Sequence, residues 1–369
     1  MDVTLNRSTL LDELQLIQGI VERRTTIPIL ANVLLTAEGD RLSLAATDLD
    51  VTVYSRCSAV VRAEGKATIN SRMLFDLVRS LPADTVEIRC RDNRVEVKSG
   101  TFESQLASLD PADFPTLPEP PAGQGLSMPL SFLHALIDRT IFAVSAEEGH
   151  FQYNAALLAV AAKHVEMVAT DGHRLAYVKA AQSGHTGAIE QQLLPRKVLH
   201  LLRRLGPAAD TPLYIGRGEN HLAFRLGDRI LLSRLLEARF PQYERVLVRD
   251  NPHRVVVQRG DLSASLRRVA LLTSERTHGV QLQFATDSIT LASVGFDLGQ
   301  ANETVPCSYA GEPLKVLVNA QYVLDFLAAV EGQEIEIRLR DSDGPVVLMP
   351  AAAEAPISEC LYVIMPIRL

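Results

Sequence analysis

The segment Ala46-Thr47-Asp48-Leu49-Asp50 returns as Ala169-Thr170-Asp171-Gly172-His173 and, blurred, as Ala292-Ser293-Val294-Gly295-Phe296, at a constant step of 123 residues (169 − 46 and 292 − 169). Helix-like runs keep nearly the same step, because Ser71 to Leu81, Pro195 to Leu205 and Asn319 to Val330 begin 124 residues apart (195 − 71 and 319 − 195). Three copies account for all 369 residues. A period this long exceeds the roughly 20–50 residues of solenoid repeats and matches the size of an independent domain. The expected organisation is one domain-sized module written three times, over 1–124, 125–250 and 251–369.

Within the first copy, Leu10, Leu11, Leu14, Ile17 and Val21 form an amphipathic helical stripe with Ser8 placed to cap it. Strands are expected at Ile29 to Leu35, Leu42 to Ala46 and Val51 to Tyr54, separated by Glu38-Gly39-Asp40 and Asp48-Leu49-Asp50, which carry turn chemistry. A second helix, Ser71 to Leu81, stops at Pro82. Strands then resume at Val86 to Cys90, Arg94 to Lys98 and Thr101 to Leu106. Helices at Leu130 to Val144 and Leu262 to Ser274, and strands at Val165 to Ala169 and Ile289 to Ser293, repeat the order. Turn formers gather at Pro111 to Gly125 and Arg249 to His253, where the copies meet. Two helices and about six to eight strands per copy give an α+β class, with antiparallel sheet covered on one side by helices.

Composition removes several classes. The chain is 47% hydrophobic and 22% charged, as expected of a globular protein with real cores. No run reaches the roughly 18 apolar residues of a membrane span, and Met1 to Arg7 lacks the basic start of a signal peptide, so no membrane role and a cytoplasmic location are expected. Cys57, Cys90, Cys307 and Cys360 lack paired or ligand spacing, which points to free thiols and no metal. The net charge of −7 leaves a nucleic-acid partner open, since a polyanion feels the local face rather than the sum.

Thr26 to Asn32, Ala46 to Asp50, Asp113-Phe114-Pro115, Ala169 to Leu175, Pro195-Arg196-Lys197, Arg239 to Tyr243 and the ending Tyr362 to Leu369 together resemble the bacterial DNA polymerase III beta subunit family, the sliding clamps, over the full length. The resemblance implies three DNA-clamp domains per chain and a head-to-tail homodimer closing into a six-domain ring. Double-stranded DNA would be encircled without sequence reading, and no cofactor or catalysis is implied. Two helices per copy, in six copies, make twelve inner helices. At about 10 Å per helix the ring of axes is about 38 Å across, leaving about 28 Å clear, enough for a duplex.

Sliding requires phosphate attraction without base-specific grip. Arg72, Arg79, Arg196, Lys197, Arg203, Arg204, Arg267 and Arg268 are the candidate inner-face charges, and Arg24 matches a family DNA contact. The loop Ala146 to Tyr153 departs from the family by placing Glu147-Glu148 where a DNA contact is familiar.

The family also implies a pocket for short peptides from the replicative polymerase alpha subunit, the clamp loader, other polymerases and repair proteins. Carried over by position it comprises Tyr153, Thr170, Gly172, His173, Arg174, Leu175, Pro241, Arg245, Val246, Asn319, Tyr322, Val363, Met365, Pro366, Ile367, Arg368 and Leu369. Gly172 replaces the Leu49 of the first copy, permitting close approach, and Met365 suits a pocket that accepts related peptides. Ile367 stands where the family often has Met. Ring closure is expected from Leu106 of one chain against Leu271 and Leu272 of another, with Glu303 contributing polar contact because Ser104 replaces a familiar aromatic.

Two other readings stand beside a replicative clamp. A specialised clamp paralogue, antibiotic-resistant or dedicated to repair, is kept open by Ser104, Glu147-Glu148 and Ile367. A phosphate-ester hydrolase would use His173 with Asp48, Asp50 and Asp171. Against it, no nucleophile elbow is present, and these aspartates recur at module turns, where Asp bonds its own backbone.

Overall fold

The computed structural model describes all residues except 22–25, 93, 122–124, 148–151, 182–190, 207–210, 275–276, 295–298, 354 and 369. Six α-helices occur among the described residues: α1 (Arg7–Ile17), α2 (Ser71–Ser80), α3 (Leu130–Asp138), α4 (Arg196–Leu202), α5 (Arg259–Ala270) and α6 (Ala320–Ala329). None is long and apolar enough to cross a membrane. The chain gathers into two compact units. One combines Met1–Ser131 with Lys197–Leu236, and the other combines Glu237–Leu369 with most of the stretch from Phe132 to Arg196.

The first unit holds two antiparallel sheets. A five-stranded sheet runs Val60–Ala63, Asp2–Asn6, Thr85–Arg91, Arg94–Ser99, Phe102–Ala107, leaving the last strand at an edge. An eight-stranded sheet runs Leu126–Pro129, Pro212–Arg217, His221–Leu226, Arg229–Arg234, Val51–Ser58, Arg41–Thr47, Asn32–Glu38, Gly65–Asn70. Period-two patterning drives both: in Arg94–Ser99, Val95, Val97 and Ser99 are buried while Arg94 is exposed. Helices α1 and α2 pack on each other, and α1 also packs on Val51–Ser58.

The second unit is one antiparallel sheet of twelve strands: Gln191–Pro195, Ala155–Val160, His164–Thr170, Arg174–Ala181, Ile357–Ile364, Val346–Pro350, Glu334–Leu339, His253–Gln258, Asn302–Ser308, Ser288–Ser293, Gly279–Ala285, Leu314–Asn319. Helices α5 and α6 pack together, with α5 also against Asn302–Ser308 and Ser288–Ser293.

The compact units cut across the 123-residue repeat because sheets continue past the repeat junctions. Ser233 pairs with Val51 in one unit, and Ile364 pairs with Arg174 in the other. Residues 1–124 carry nine strands among the described residues, one more than the sequence suggested.

Several local expectations change. Asn6, not Ser8, caps α1: its Oδ1 accepts from the Ser8 and Thr9 amides, and the Ser8 hydroxyl donates to it as well. Helix α1 ends at Ile17, short of Val21. Pro28 opens a 3-10 turn, Pro28–Ala31, so the strand begins at Asn32 rather than Ile29. Asn70 and Asn319 stand just outside α2 and α6 as caps. The expected helix from Leu130 stops at Asp138 and gives way to a 3-10 turn at Ile141–Ala143. The expected helix from Leu262 starts earlier and ends earlier, as Arg259–Ala270. All four cysteines are free.

Candidate functional site

The repeated Ala-Thr-Asp segment is a hydrogen-bonded turn built the same way twice. In the first copy the Thr47 hydroxyl accepts from the Leu49 amide, and Asp48 Oδ1 accepts from the amides of Asp50 and Val51. In the second, Thr170 accepts from Gly172, and Asp171 Oδ1 accepts from His173 and Arg174. Both turns put their third residue in the left-handed region, Leu49 at φ +81° and Gly172 at φ +91°. The remaining carboxylate oxygen of Asp171 takes the Arg174 Nε at 2.8 Å. Asp48 takes Lys197. These aspartates are therefore committed to turn and ion-pair chemistry, and among the described residues no group of three or more His, Cys, Asp or Glu is placed to hold a metal.

Strand register sorts the residues around the second turn onto two faces. Leu175 lies opposite Val363, and Val363 opposite Val347. On that face Leu175, Val363, Leu157, Val168, Tyr177 and Leu361 form one apolar cluster, roofed by Tyr243 and Leu247 with Phe240 and Val246 against it. The roof is the 237–250 segment, which also carries Pro241 and the exposed Arg245. Thr170, whose hydroxyl donates to the Arg174 carbonyl at 2.6 Å, closes the end of this patch.

The opposite face is organised by Arg174, whose side chain is 11% exposed. It donates to Asp171 (2.8 Å), Asp325 (2.6 Å), the Phe142 carbonyl (2.6 Å) and the Tyr362 hydroxyl (3.4 Å). Its guanidinium stacks over Tyr322 at 4.3 Å. A buried cation needs this density of partners. Tyr362 in turn lies parallel to Phe326, centroids 5.2 Å from Phe142 and 5.4 Å from Phe326.

Beyond Ile364 the tail leaves the sheet but stays tied down. The Met365 amide donates to the His173 carbonyl (2.9 Å) and the Ile367 amide to the Leu317 carbonyl (2.8 Å). Met365 is left 45% exposed. A Cβ on Gly172 would sit 3.8 Å from the Tyr153 ring, so Tyr153 borders the same turn. Pro366, Ile367 and Arg368 line a depression with Gln281, Lys315 and Leu317. Asn319 is spent capping α6 through the Gln321 amide.

Two patches thus flank the 171–173 turn on opposite faces, an apolar one around Leu175, Val246 and Val363 and an aromatic one around Arg174, Phe142 and Tyr322. Phe142, Asp325 and Tyr362 belong to this site but were not among the residues expected in the pocket, Tyr362 having been read only as part of the C-terminal motif. Their signal was Arg174 itself, a charge inside an apolar strand that requires partners, with Asp325 one helical step from Tyr322.

The candidate DNA charges are placed less uniformly. Arg72 and Arg79 are exposed on α2, both near Asp76 at 3.9 and 3.2 Å, and Arg79 lies 5.4 Å over Phe75. Arg203 and Arg204 are exposed just past α4, and Arg267 is exposed on α5. Lys197 instead turns inward, donating to the Ile20 carbonyl at 2.7 Å as well as to Asp48. Arg196 is half-buried, and its Nε has no hydrogen-bond partner among the described residues. Arg268 is bound by both oxygens of Glu303, an interaction that holds the Glu303 carboxyl below its ordinary range. Leu106 lies on the edge strand Phe102–Ala107, while Leu271 is 77% exposed after α5 and Leu272 half-buried. Arg24, Leu369 and part of the 146–153 loop, including Glu148, lie outside the described residues.

Three family models tile the chain: the DNA polymerase III beta subunit N-terminal domain over residues 1–118, its central domain over 127–242 and its C-terminal domain over 244–368. Over the full length of both chains it is 36% identical to the beta sliding clamp of Pseudomonas aeruginosa and 32% to that of Escherichia coli. A solved DnaN sliding clamp from Bartonella birtlesii, bound to griselimycin, superposes with a TM-score of 0.94 at 30% identity, covering all of both chains.

Proposed function

The chain belongs to the bacterial DNA polymerase III beta subunits, the beta sliding clamps and non-catalytic processivity factors of replication, and from that premise we propose how its own residues do the work. Membership implies DNA and a DNA polymerase as partners. Three domains, over 1–124, 125–250 and 251–369, pair head to tail with those of a second chain to close a ring on duplex DNA. Arg72, Arg79, Arg203, Arg204 and Arg267 supply exposed, sequence-independent attraction for phosphate, joined by Arg24. Lys197 serves the turn at Asp48 and contributes little to DNA.

The alpha subunit of the polymerase, the clamp loader and repair proteins dock by short peptides on the paired patches at the 171–173 turn. The observation that carries this reading is the exposed Met365, whose amide donates to the His173 carbonyl at the turn that is flanked on one face by the apolar cluster of Leu175, Val246 and Val363 and on the other by the Arg174–Tyr322 stack. Such a surface offers one site for an aliphatic anchor and one for an aromatic anchor, the arrangement that concentrates peptide affinity in a few buried side chains. Chain-to-chain contact uses Leu106 on its open edge against Leu271 and Leu272. Because Arg268 already satisfies Glu303 within the chain, apolar contact carries more of that interface.

Fluorescence polarisation with a labelled Gln-x-x-Leu-Phe peptide tests the pocket. The full chain should bind at micromolar concentration, about −8 kcal/mol, and a chain lacking Met365 to Leu369 should not. Equal binding by both would place the peptide elsewhere.

A further inference from the structure

The roof of the apolar patch, residues 237–250, has no helix or strand to hold it. Its position rests on side-chain anchors. At one end Arg249 binds Glu359 through two hydrogen bonds of 2.8 and 3.2 Å. In the middle Tyr243 inserts its ring beside Tyr177 and Phe240, at centroid distances of 6.2 and 6.1 Å. Behind those rings stands Glu166, which accepts from the Tyr177 hydroxyl at 2.9 Å and from the Tyr243 hydroxyl at 3.3 Å, one on each carboxylate oxygen. His164 Nε2 and Lys179 Nζ both lie 3.3 Å from the same carboxylate.

The first copy supports a specific role for this arrangement. Tyr54 occupies the repeat position of Tyr177, 123 residues earlier (177 − 54). Its hydroxyl donates to the Pro118 carbonyl at 2.6 Å, tying down the equivalent segment at the end of the first copy. The same tyrosine position thus anchors a trailing segment twice. Only in the second copy is the bond relayed through a carboxylate, because Ser43 stands where Glu166 would be (166 − 123).

We propose that Glu166 is a positioning residue of the peptide pocket: it latches Tyr243 to Tyr177 and so fixes the wall that presents Pro241 and Val246 to an aliphatic anchor. The inference rests on the pocket reading above. Burial, and then the negative charge of Glu166, push the Tyr243 phenol up to about 12, so the hydroxyl remains a donor at any physiological pH. The latch is not a general packing element, since removing one oxygen from Tyr243 leaves the ring contacts in place.

The test compares Tyr243→Phe, Glu166→Ala and Glu166→Gln in the full-length protein, with Tyr54→Phe as a control that cuts the corresponding anchor in the other unit. Two readouts are used: affinity for the labelled Gln-x-x-Leu-Phe peptide, and hydrogen exchange in the peptide-free protein at the Val246 and Val248 amides, which bond to the Tyr243 and Val246 carbonyls. Tyr243→Phe and Glu166→Ala should weaken peptide binding by about threefold to tenfold, through faster release, and speed exchange at both amides. Glu166→Gln should recover part of the loss, because its amide oxygen still accepts one hydroxyl. Tyr54→Phe should alter neither. Unchanged exchange in Glu166→Ala, or an equal loss of affinity in Tyr54→Phe, would overturn the latch. Failure of the wild-type chain to bind peptide would refute the pocket reading instead, and the exchange data would still decide the latch.

Discussion

At the scale of single residues, the two turns at 47–50 and 170–173 show one backbone device used for two ends. Both demand a left-handed third residue, yet the first is occupied by Leu49, which is 54% exposed, and the second by Gly172 beside Tyr153. Leucine tolerates that conformation at a cost, whereas glycine adopts it freely. Gly172→Ala should therefore destabilise the protein by about 1 kcal/mol in a urea titration. Its Cβ would meet Tyr153 only at ordinary contact distance, so peptide affinity should fall little. A large affinity loss with unchanged stability would mean that a partner backbone approaches the turn directly. The aspartates of these turns were legible as turn formers because Asp bonding to its own backbone is a local matter. The other partners of Arg174 were not, because Phe142, Asp325 and Tyr362 come from three stretches of chain distant from it in sequence.

At the scale of elements, helices and strands with a clear period were legible within a few residues, as at Ser71–Ser80, Ala320–Ala329 and Arg41–Thr47. Failures came where one local rule beat another. The apolar run after Pro28 suits a strand, but the proline supplies the first turn of a 3-10 helix. Short strands such as Asp2–Asn6 and Val60–Ala63 carry too few residues to declare a period. Pairing between distant strands leaves a different signature, in charge. Glu336 bridges His253–Gln258 to its own strand, accepting from Arg254 at 2.6 Å and from Arg338 at 2.5 Å. Those bonds, Arg254 foremost, hold its carboxyl down at about 2. Since the folded value lies below the ordinary 4.5, the stabilisation is complete above pH 4.5 and drains away as pH falls toward 2. Denaturant midpoints measured across that window should drop more steeply for the wild type than for Glu336→Gln. Parallel curves would show that the bridge contributes nothing to folding.

At the scale of the whole molecule, the threefold repeat was the most legible property, because a period of 123 residues survives even where the third copy has drifted. The division into two compact units was not, since it depends on strands that pair across repeat junctions, Ser233 with Val51 and Ile364 with Arg174, and no local pattern announces such a partner. The same economy of unpaired edges leaves Phe102–Ala107 at a sheet margin, where backbone groups await a strand from another chain. On the proposed reading this edge meets the exposed Leu271 of a second chain to close the ring that processivity requires. The decisive measurement is retention on DNA after loading by the cognate clamp loader, followed on a nicked circle before and after the circle is cut, for the wild type and for Leu271→Glu. A ring held by topology should stay on the circle through a high-salt wash and leave once the DNA is linear, and Leu271→Glu should be lost from both. Equal retention of the wild type on circular and linear DNA would contradict it.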